Sequence, residues 1–253
     1  MKTFAIMNRK GGVGKTTTAK NLAYVLATEH KKKVLLVDAD PQGDTSSINT
    51  ALNRDGLTAV LNGTDWRDVI DRTNVDNLDL LPSNDGLGEI DLQCMTGQRK
   101  PDFTALLRFL NVIADDYDVC VIDCPPGYSV SCLNAITAAD RIIIPADTSA
   151  YSAEGMESLV RQIDSIRSAG FMDVCVSGIL MTRVTREDID TEAVELMRSN
   201  APVHVFRNVI RASVKPVTRS SWECMSACEL SPWCNASRDY RAWVAELCER
   251  EGL

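Results

Sequence analysis

Eight consecutive residues near the N-terminus have the types and spacing needed to bind a phosphate group. They are Lys10, Gly11, Gly12, Val13, Gly14, Lys15, Thr16 and Thr17. An apolar run at 4–7 precedes them and a helical pattern at 17–29 follows, so a strand, a glycine loop and a helix are predicted in succession. This order is the structural context that a phosphate-binding loop requires.

Each residue type in this loop has a chemical reason. Glycines adopt backbone angles that other residues avoid, and they let amide groups approach an anion closely. The amides at the start of the following helix add partial positive charge. Lys15 can then reach the β- and γ-phosphates of a nucleotide, and the Thr16 hydroxyl can ligate Mg²⁺.

Two predicted strands end in carboxylates that belong at the same edge of a sheet. Residues 33–38 form one apolar run, which ends at Asp38 and leads to Asp40. Residues 117–123 form the other, which ends at Asp123. Ligands of parallel α/β sheets bind at the carboxyl ends of the strands, so these carboxylates are expected beside the glycine loop. Asp123 is therefore predicted to hold Mg²⁺, directly or through water.

The loop departs from the usual pattern, because Arg9 stands where a glycine is expected and Lys10 follows it. The string K-G-G-V-G-K-T-T resembles the deviant Walker A motif of the ParA/MinD superfamily of P-loop ATPases. D-A-D-P-Q at 38–42 resembles the switch I segment of ParA-type ATPases. D-C-P-P-G at 123–127 resembles switch II, where the backbone senses the γ-phosphate. The chain looks like a short ParA partition ATPase without the N-terminal DNA-binding extension of some relatives.

The resemblance implies roles for individual residues. Lys10 would reach the phosphates bound to a second subunit, as a cation supplied in trans. Asp40 would position the attacking water or belong to the Mg²⁺ shell, with Asp38 in a supporting position. Thr182 and Arg183 would approach the adenine of ATP, although an ordinary loop arginine is an equal interpretation of Arg183.

A basic segment late in the chain differs in charge from the rest. Residues 203–221 hold four cations and no acid, within a chain whose net charge is −8. The cations are Arg207, Arg211, Lys215 and Arg219. Their four-residue spacing would place them on one helical face, although Pro216 interrupts a continuous helix. The segment loosely resembles the region of partition ATPases that contacts the DNA backbone. Binding to DNA without sequence preference is expected, and a solvated surface is the alternative.

Composition excludes some classes of protein. No apolar run reaches the roughly 18 residues that a membrane-spanning helix needs. The apolar run at 4–7 is followed by Arg9 and Lys10, which argues against a signal peptide. We therefore expect a cytoplasmic, nucleoid-associated protein without stable membrane insertion.

Nine cysteines are an odd number, and a P-loop ATPase works in the reducing cytosol, so free thiols are expected. Three of them, Cys224, Cys228 and Cys234, lie close together in sequence. Their spacing matches neither the zinc pattern C-x2-C nor the common ferredoxin runs. Reduced thiols are the favoured interpretation, and an Fe–S cluster or zinc stays open.

Alternating strand and helix patterns predict an α/β fold in which a single doubly wound, mostly parallel sheet is flanked by helices. Residues 1–253 are expected to form one domain. Further apolar runs predict strands at 78–82, 141–145, 174–181 and 202–206. Helices are predicted at 56–62, 101–114, 152–168, 188–199 and 237–250, with a turn at 65–70, whereas residues 89–94 are ambiguous.

The last predicted helix has an apolar face made by Tyr240, Trp243, Val244 and Leu247. MinD proteins end in a basic amphipathic helix that binds membranes. Acidic and basic residues are mixed in this tail, so it lacks the cationic bias that anionic lipids attract. We expect the helix to pack on the body of the protein.

The resemblance as a whole implies an ATP-dependent DNA partition ATPase. An ATP-bound homodimer would bind DNA, and hydrolysis stimulated by a centromere-binding ParB-like partner would release it. Three alternatives are a MinD-like membrane-associated positioning ATPase, an Fe–S carrier ATPase of the Mrp type and a bacterial tyrosine kinase of similar fold. Such kinases usually carry a C-terminal tyrosine cluster, whereas here only Tyr240 lies late in the chain.

Overall fold

The computed structural model describes residues 1–48, 55–63, 68–148, 153–166 and 174–253. Within these ranges seven strands form one sheet. The strands are β1 (Lys2–Ile6), β2 (Val34–Asp38), β3 (Asp71–Arg72), β4 (Leu78–Leu81), β5 (Val119–Asp123), β6 (Arg141–Asp147) and β7 (Cys175–Thr182). Their order across the sheet is β3-β4-β2-β5-β1-β6-β7, and every pair is parallel except β3 with β4.

Helices connect the strands and cover both faces of the sheet. They are α1 (Lys15–Thr28), α2 (Gly56–Asn62), α3 (Gly86–Met95), α4 (Ala105–Val112), α5 (Val130–Ala138), α6 (Ala153–Ile166), α7 (Asp188–Asn200), α8 (Val214–Trp222), α9 (Ala227–Leu230) and α10 (Asn235–Glu251). The predicted fold class, a doubly wound and mostly parallel sheet flanked by helices, is confirmed.

The alternation of side chains along the strands divides the core between the two faces of the sheet. In β1, Phe4 and Ile6 point to the face that α1 and α10 cover. Ala5 and Met7 belong to the opposite face, which α2 to α6 cover. All five residues of β2 and of β5 are buried, as expected for central strands of a sheet with helices on both sides.

The C-terminal helix α10 packs on the body of the protein, as predicted. Tyr240, Trp243, Val244 and Leu247 are each at most 2% exposed and join the core next to α1. In the ranges that the structure describes, no helix combines the length and the apolar character that crossing a membrane requires.

The end of α10 is tied to three separate strands through one carboxylate. Glu251 accepts hydrogen bonds from the Arg141 Nε (2.9 Å) and the Ser177 Oγ (2.6 Å), and it forms an ion pair with the Lys2 Nζ (2.9 Å). Burial raises the pKa of Glu251, but these donors outweigh that effect and the pKa is lowered. The contact therefore fastens the end of the chain to β1, β6 and β7.

Some predicted elements differ from the structure. The ambiguous residues 89–94 belong to α3, and the predicted strand at 202–206 is wrong. That segment forms a single bridge, Ile179 with Val205, and the next residue, Phe206, packs edge-on against Trp243. The ends of the helix predicted at 152–168, and most of the turn predicted at 65–70, lie outside the described residues.

Gly178 in β7 provides a test of this packing. A Cβ atom there would lie 2.9 Å from the Phe206 Cε2 and 3.0 Å from the His204 carbonyl oxygen. We expect Gly178→Ala to lower the free energy of unfolding by about 1–3 kcal/mol through overpacking. Urea unfolding followed by circular dichroism measures this change.

Gly88→Ala is the matched control, because Gly88 lies in α3 and a Cβ there meets no atom within 4 Å. This control should leave stability unchanged or raise it by up to about 1 kcal/mol, since alanine favours a helix over glycine. Equal stabilities of the two variants would contradict the close approach of residues 204–206 to β7.

Candidate nucleotide-binding site

Strand pairing brings the predicted site residues together at one edge of the sheet. Ile6, the last residue of β1, pairs in register with Asp123 of β5, and Asp123 pairs with Asp38 of β2. The glycine loop leaves β1 at this point and ends at the start of α1. The loop and both strand-terminal carboxylates are therefore neighbours, as the sequence predicts.

The loop itself is held in a fixed conformation by several hydrogen bonds. Gly12 and Gly14 have φ angles of 77° and 87°, in the left-handed region that side chains disfavour. The Asn8 Nδ2 donates to the Pro145 carbonyl (2.7 Å), and the Asn8 Oδ1 accepts from the Lys10 amide (3.0 Å). Asn8 thus joins the start of the loop to β6.

The two residues predicted to approach the adenine also contact this loop. The Thr182 Oγ1 donates to the carbonyl oxygen of Val13 (2.9 Å), and the Arg183 Nη1 donates to that of Gly12 (3.1 Å). Arg183 has a φ of 57°, a left-handed conformation that is uncommon for arginine. The structure therefore brings Thr182 and Arg183 to the outer side of the glycine loop.

A cavity of about 370 Å³ lies above the loop. The residues that line it are Gly11, Gly12, Gly14, Lys15, Thr16, Thr17, Lys20, Asp40, Asp44, Ser47, Pro126 and Ser221. The Lys15 Nζ donates to the Lys10 carbonyl oxygen (3.2 Å) at the edge of this space. Backbone amides, two lysines and hydroxyl groups around one cavity form a setting suited to several phosphate groups.

The two buried carboxylates beside the cavity, Asp38 and Asp123, lie where burial disfavours their charged form. Burial and the neighbouring Asp38 raise the pKa of Asp123, while hydrogen bonds from Thr45 and Thr16 act in the opposite direction. Burial also raises the pKa of Asp38, which accepts from both the amide and the hydroxyl of Ser46. A nearby cation would stabilise both carboxylates in their charged form.

One carboxylate oxygen of Asp123 is suited to binding a metal ion. The Asp123 Oδ2 accepts from the Thr45 Oγ1 (2.7 Å), whereas its Oδ1 is buried without a hydrogen-bond partner among the described residues. Buried polar atoms without partners are rare in native proteins and call for an explanation. Carboxylate and hydroxyl oxygens are the donors that Mg²⁺ prefers, and Asp123 and Thr16 supply both types here.

Asp40 lies at the same cavity but is less buried than Asp38. Its carbonyl oxygen accepts from the Ser83 Oγ (2.6 Å), and its carboxylate accepts from the Gln42 amide (3.0 Å). The backbone at Asp40 is thus fixed, while its carboxylate faces the space in which phosphate groups would lie.

Lys10 reaches sideways along the sheet edge rather than into the cavity. Its Nζ lies 3.2 Å from an oxygen of Asp147, the last residue of β6, and its side chain is 45% exposed. Asp147 itself is almost fully buried. Lys10 is therefore the cation of this loop that stands closest to solvent while Lys15 lines the cavity.

A second cavity of about 210 Å³ adjoins the first and extends toward α8. Thr182 and Arg183 line it, and so do residues that sequence reasoning missed: Ile210, Ala212, Ser213, Val214, Val217 and Thr218. These residues lie about 200 positions from the loop, so no local pattern connects them with it. Lys20 in the first cavity was also missed, although its spacing of four residues from Thr16 places both on one face of α1.

The structure changes the interpretation of the basic segment. The four cations do not share a helical face, because α8 begins at Val214 and Arg207 and Arg211 precede it. Pro216 falls in the first turn of this helix, where a missing amide hydrogen is tolerated. Only Lys215 and Arg219 lie on the helix, and both are exposed.

The two arginines that precede α8 are paired with carboxylates of α10. Arg211 forms a bidentate ion pair with Asp239, with its Nη2 2.6 Å from the Oδ1. Arg207 lies 3.5 Å from Glu246 and 3.6 Å from Glu249. Arg219 pairs more weakly with Glu223 at 3.7 Å, and Lys215 has no ion pair within the described part of the chain.

The clustered cysteines have separate surroundings. Cys228 is buried and its Sγ donates to the Ser237 carbonyl oxygen (3.6 Å), while the Cys234 Sγ accepts from the Ser237 amide and caps α10. Cys224 is partly exposed after α8. Among the described residues, no group of three or more His, Cys, Asp or Glu side chains is arranged to hold a metal ion.

Comparison with known proteins agrees with this geometry. A family model described as an AAA domain matches residues 1–174. Over 255 residues the chain is 32% identical to the chromosome-partitioning ATPase Soj of Treponema pallidum, an alignment that covers 99% of this chain and 98% of that protein.

Two solved structures with bound nucleotide are similar over nearly their full length. The ATP complex of a Cyanothece McdA variant has a TM-score of 0.81 and 25% identity, and the match covers 100% of this chain and 97% of that one. Cobyrinic acid a,c-diamide synthase of Mycobacterium smegmatis, with an ATP analogue and magnesium, has a TM-score of 0.83 and 26% identity, covering 100% and 96%. The loop, the two carboxylates and these similarities together establish that the chain belongs to the ParA/MinD superfamily of P-loop ATPases and is related to its partition ATPases.

Proposed function

We propose that this protein is a partition ATPase whose ATP-bound homodimer binds DNA and whose hydrolysis of ATP releases it. The observation that carries the proposal is the cavity lined by the glycine loop, Lys15 and Asp40, next to which the strand-terminal carboxylates Asp38 and Asp123 are paired. A full-length relative that is a chromosome-partitioning ATPase supports the cellular role. Stimulation by a ParB-like, centromere-binding partner belongs to the same proposal.

Different residues at the cavity would bind different parts of MgATP. The amides of residues 11–17 and the ammonium of Lys15 would hold the phosphates, and the second cavity would take the base. Thr16 and Asp123 would hold Mg²⁺, which when bound offsets negative charge on the phosphate oxygens. Asp40 would orient the attacking water from the position that Ser83 fixes.

Lys10 is proposed to act on the nucleotide of the partner subunit. Its ammonium is bound to Asp147 at the rim and does not enter the cavity of its own chain. A lysine at the rim can reach across a face-to-face dimer, where it would stabilise charge on the transferred phosphoryl group. The contact with Asp147 would hold the Lys10 side chain at the rim of the cavity before the subunits meet.

DNA binding is assigned to α8 rather than to a row of four cations. Lys215 and Arg219 lie four residues apart on its exposed face, whereas Arg211 is held in a bidentate ion pair by Asp239 of α10 and the exposed Arg207 lies outside the helix. Exposed cations of this kind neutralise phosphates without reading base sequence. In a dimer the two copies of α8 would act together and raise the affinity.

The alternative of a MinD-like membrane switch has less support. The apolar residues of α10 that a membrane tail would expose are buried against α1. An Fe–S carrier has less support as well, since Cys228 and Cys234 make hydrogen bonds to Ser237 within the C-terminal fold.

Nucleotide binding can be measured by thermal stabilisation. At one hundred times its Kd, a slowly hydrolysed ATP analogue with Mg²⁺ adds about 2.7 kcal/mol to the stability of the native state. For a chain of this size we expect the Tm to rise by about 5–10 °C. Lys15→Ala should abolish the rise, and Lys100→Ala, which removes an exposed lysine elsewhere, should retain it. A rise of equal size in Lys15→Ala would contradict the assigned site.

The action of Lys10 in trans can be tested by mixing two inactive variants. Lys10→Ala lacks the bridging lysine, and Asp40→Ala lacks the water-positioning carboxylate but keeps Lys10. Each alone should retain less than about 1% of the stimulated ATPase rate, as for loss of a comparable cation. In an equal mixture, half of the dimers are mixed and each holds one complete site, so about a quarter of the wild-type rate should return.

The mixture also tests the alternative. If Lys10 acted within its own chain, a partner subunit could not supply it, and no activity would return on mixing. An activity no higher than that of the separate variants, measured where resonance energy transfer between differently labelled variants shows mixed dimers, would refute the action in trans.

The role of α8 in DNA binding can be tested with a double variant, Lys215→Ala with Arg219→Ala. Loss of two phosphate contacts per subunit, and so of four per dimer, should reduce the magnitude of the slope of log K against log salt by roughly 3.6 and weaken binding at least about tenfold at low salt. Lys100→Ala with Arg161→Ala is the matched control, because Arg161 pairs with Glu157 four residues away as Arg219 does with Glu223. Fluorescence anisotropy with the ATP analogue measures both, and an unchanged salt slope would show that the α8 cations form an ordinary surface.

A further inference from the structure

Lys20 is a buried lysine that lines the phosphate cavity and has no role in the proposed mechanism. It lies on α1 one turn after Thr16, and it is only 6% exposed. Its Nζ donates to the carbonyl oxygen of Asp44 (2.7 Å). Burying an ammonium group is costly unless it is paired and hydrogen-bonded, so the position of this side chain calls for a reason.

The partner of Lys20 belongs to the segment that carries Asp40. Residues 40–47 leave the end of β2 and return over the cavity. Gly43 donates its amide to the Asp40 carbonyl (3.0 Å), and Ser47 donates its amide to the Gly43 carbonyl (3.1 Å). The Asp44 carbonyl accepts a second hydrogen bond from the Ser47 Oγ (2.7 Å). Lys20 therefore binds the centre of a compact turn.

Other contacts of this segment are made to Ser83, whose amide donates to the Ser46 Oγ (2.7 Å), and to the carboxylates at the sheet edge. Thr45 binds Asp123 (2.7 Å) and Ser46 binds Asp38 (2.6 Å). The link from Lys20 is made to a backbone carbonyl, and it leaves Asp38 and Asp123 free.

The charges around Lys20 favour this arrangement. Burial lowers the pKa of Lys20, and Cys224, Asp123, Asp38 and Asp44 act in the opposite direction. The Lys20 ammonium group thus lies close to the carboxylates that would bind a metal ion, but its hydrogen bond goes to the backbone carbonyl of Asp44.

We propose that Lys20 is a positioning residue for ATP hydrolysis, because its hydrogen bond to the Asp44 carbonyl holds residues 40–47 against α1 and, together with the Ser83 contact, keeps Asp40 at the phosphate cavity. This inference rests on the proposed ATPase function and adds a residue to it. Lys20 acts through the segment and does not itself contact the reacting phosphate.

Hydrogen exchange in the nucleotide-free protein tests the link without any need for catalysis. The Ser46 and Ser47 amides are both hydrogen-bonded, to Asp38 and to Gly43 respectively. In Lys20→Met, which keeps the length of the side chain and removes the charge, these amides should exchange at least about tenfold faster. Lys20→Arg should stay close to wild type, and Lys100→Met is the control for loss of one lysine.

Steady-state kinetics then separate positioning from binding. Displacement of Asp40 should lower kcat of Lys20→Met by about 10- to 100-fold, with KM for ATP within about threefold of wild type. Lys20→Arg should restore most of kcat. A raised KM with unchanged kcat would make Lys20 a phosphate ligand and overturn the proposal, as would unchanged exchange at residues 46 and 47.

A wrong role for Lys20 and a wrong ATPase function give different results. If wild type hydrolyses ATP and Lys20→Met behaves like wild type in both measurements, the inference about Lys20 is wrong and the ATPase function stands. If wild type does not hydrolyse ATP, the proposed function and the catalytic role of Lys20 fail together, and the exchange data still decide the structural link. Lys20→Gln, which is neutral and shorter, provides the same readouts if Lys20→Met proves insoluble.

Discussion

Two carboxylates on adjacent central strands face each other in register, and neither is exposed to solvent. Asp38 and Asp123 end β2 and β5, and their Cα atoms are direct partners in the sheet. Like charges so placed repel each other, and burial removes the water that would screen them. Hydrogen bonds from the hydroxyl groups of Thr45 and Ser46 stabilise part of this negative charge. A bound cation would offset this repulsion further, which fits a metal site at this edge of the sheet.

The rest of the fold keeps this edge in place through contacts that cross the whole sequence. Asn8 ties the glycine loop to β6, and Thr182 ties it to β7. Tyr240 of α10 lies within 3.1 Å of the Thr18 hydroxyl on α1, just below the loop. The C-terminal helix therefore supports the start of the first helix from behind. A loop fixed on three sides presents its amides in one geometry, and no ordering cost remains for the moment of binding.

Local sequence patterns predicted the parts of the site that are local in the structure. The glycine loop, Asp38 and Asp123 each end a strand, and parallel pairing alone brings such ends together. The predicted alignment of the four cations on one helical face was wrong, because Arg207 and Arg211 precede α8 and Asp239 of α10 binds Arg211. The partner of Lys20 was not predictable, since a backbone carbonyl leaves no mark in a residue pattern.

The helix α8 connects two features that sequence analysis treated separately. Val214, Val217, Thr218 and Ser221 recur at helical spacing, and they line the two cavities. Lys215 and Arg219 lie on the exposed side of the same nine residues. Screening limits charge interactions to about 8 Å at physiological salt, so two outward cations define the local potential even in a chain of net charge −8. Under the proposed function, any shift of α8 that a nucleotide causes in the cavities moves these cations as well, because one short helix carries both.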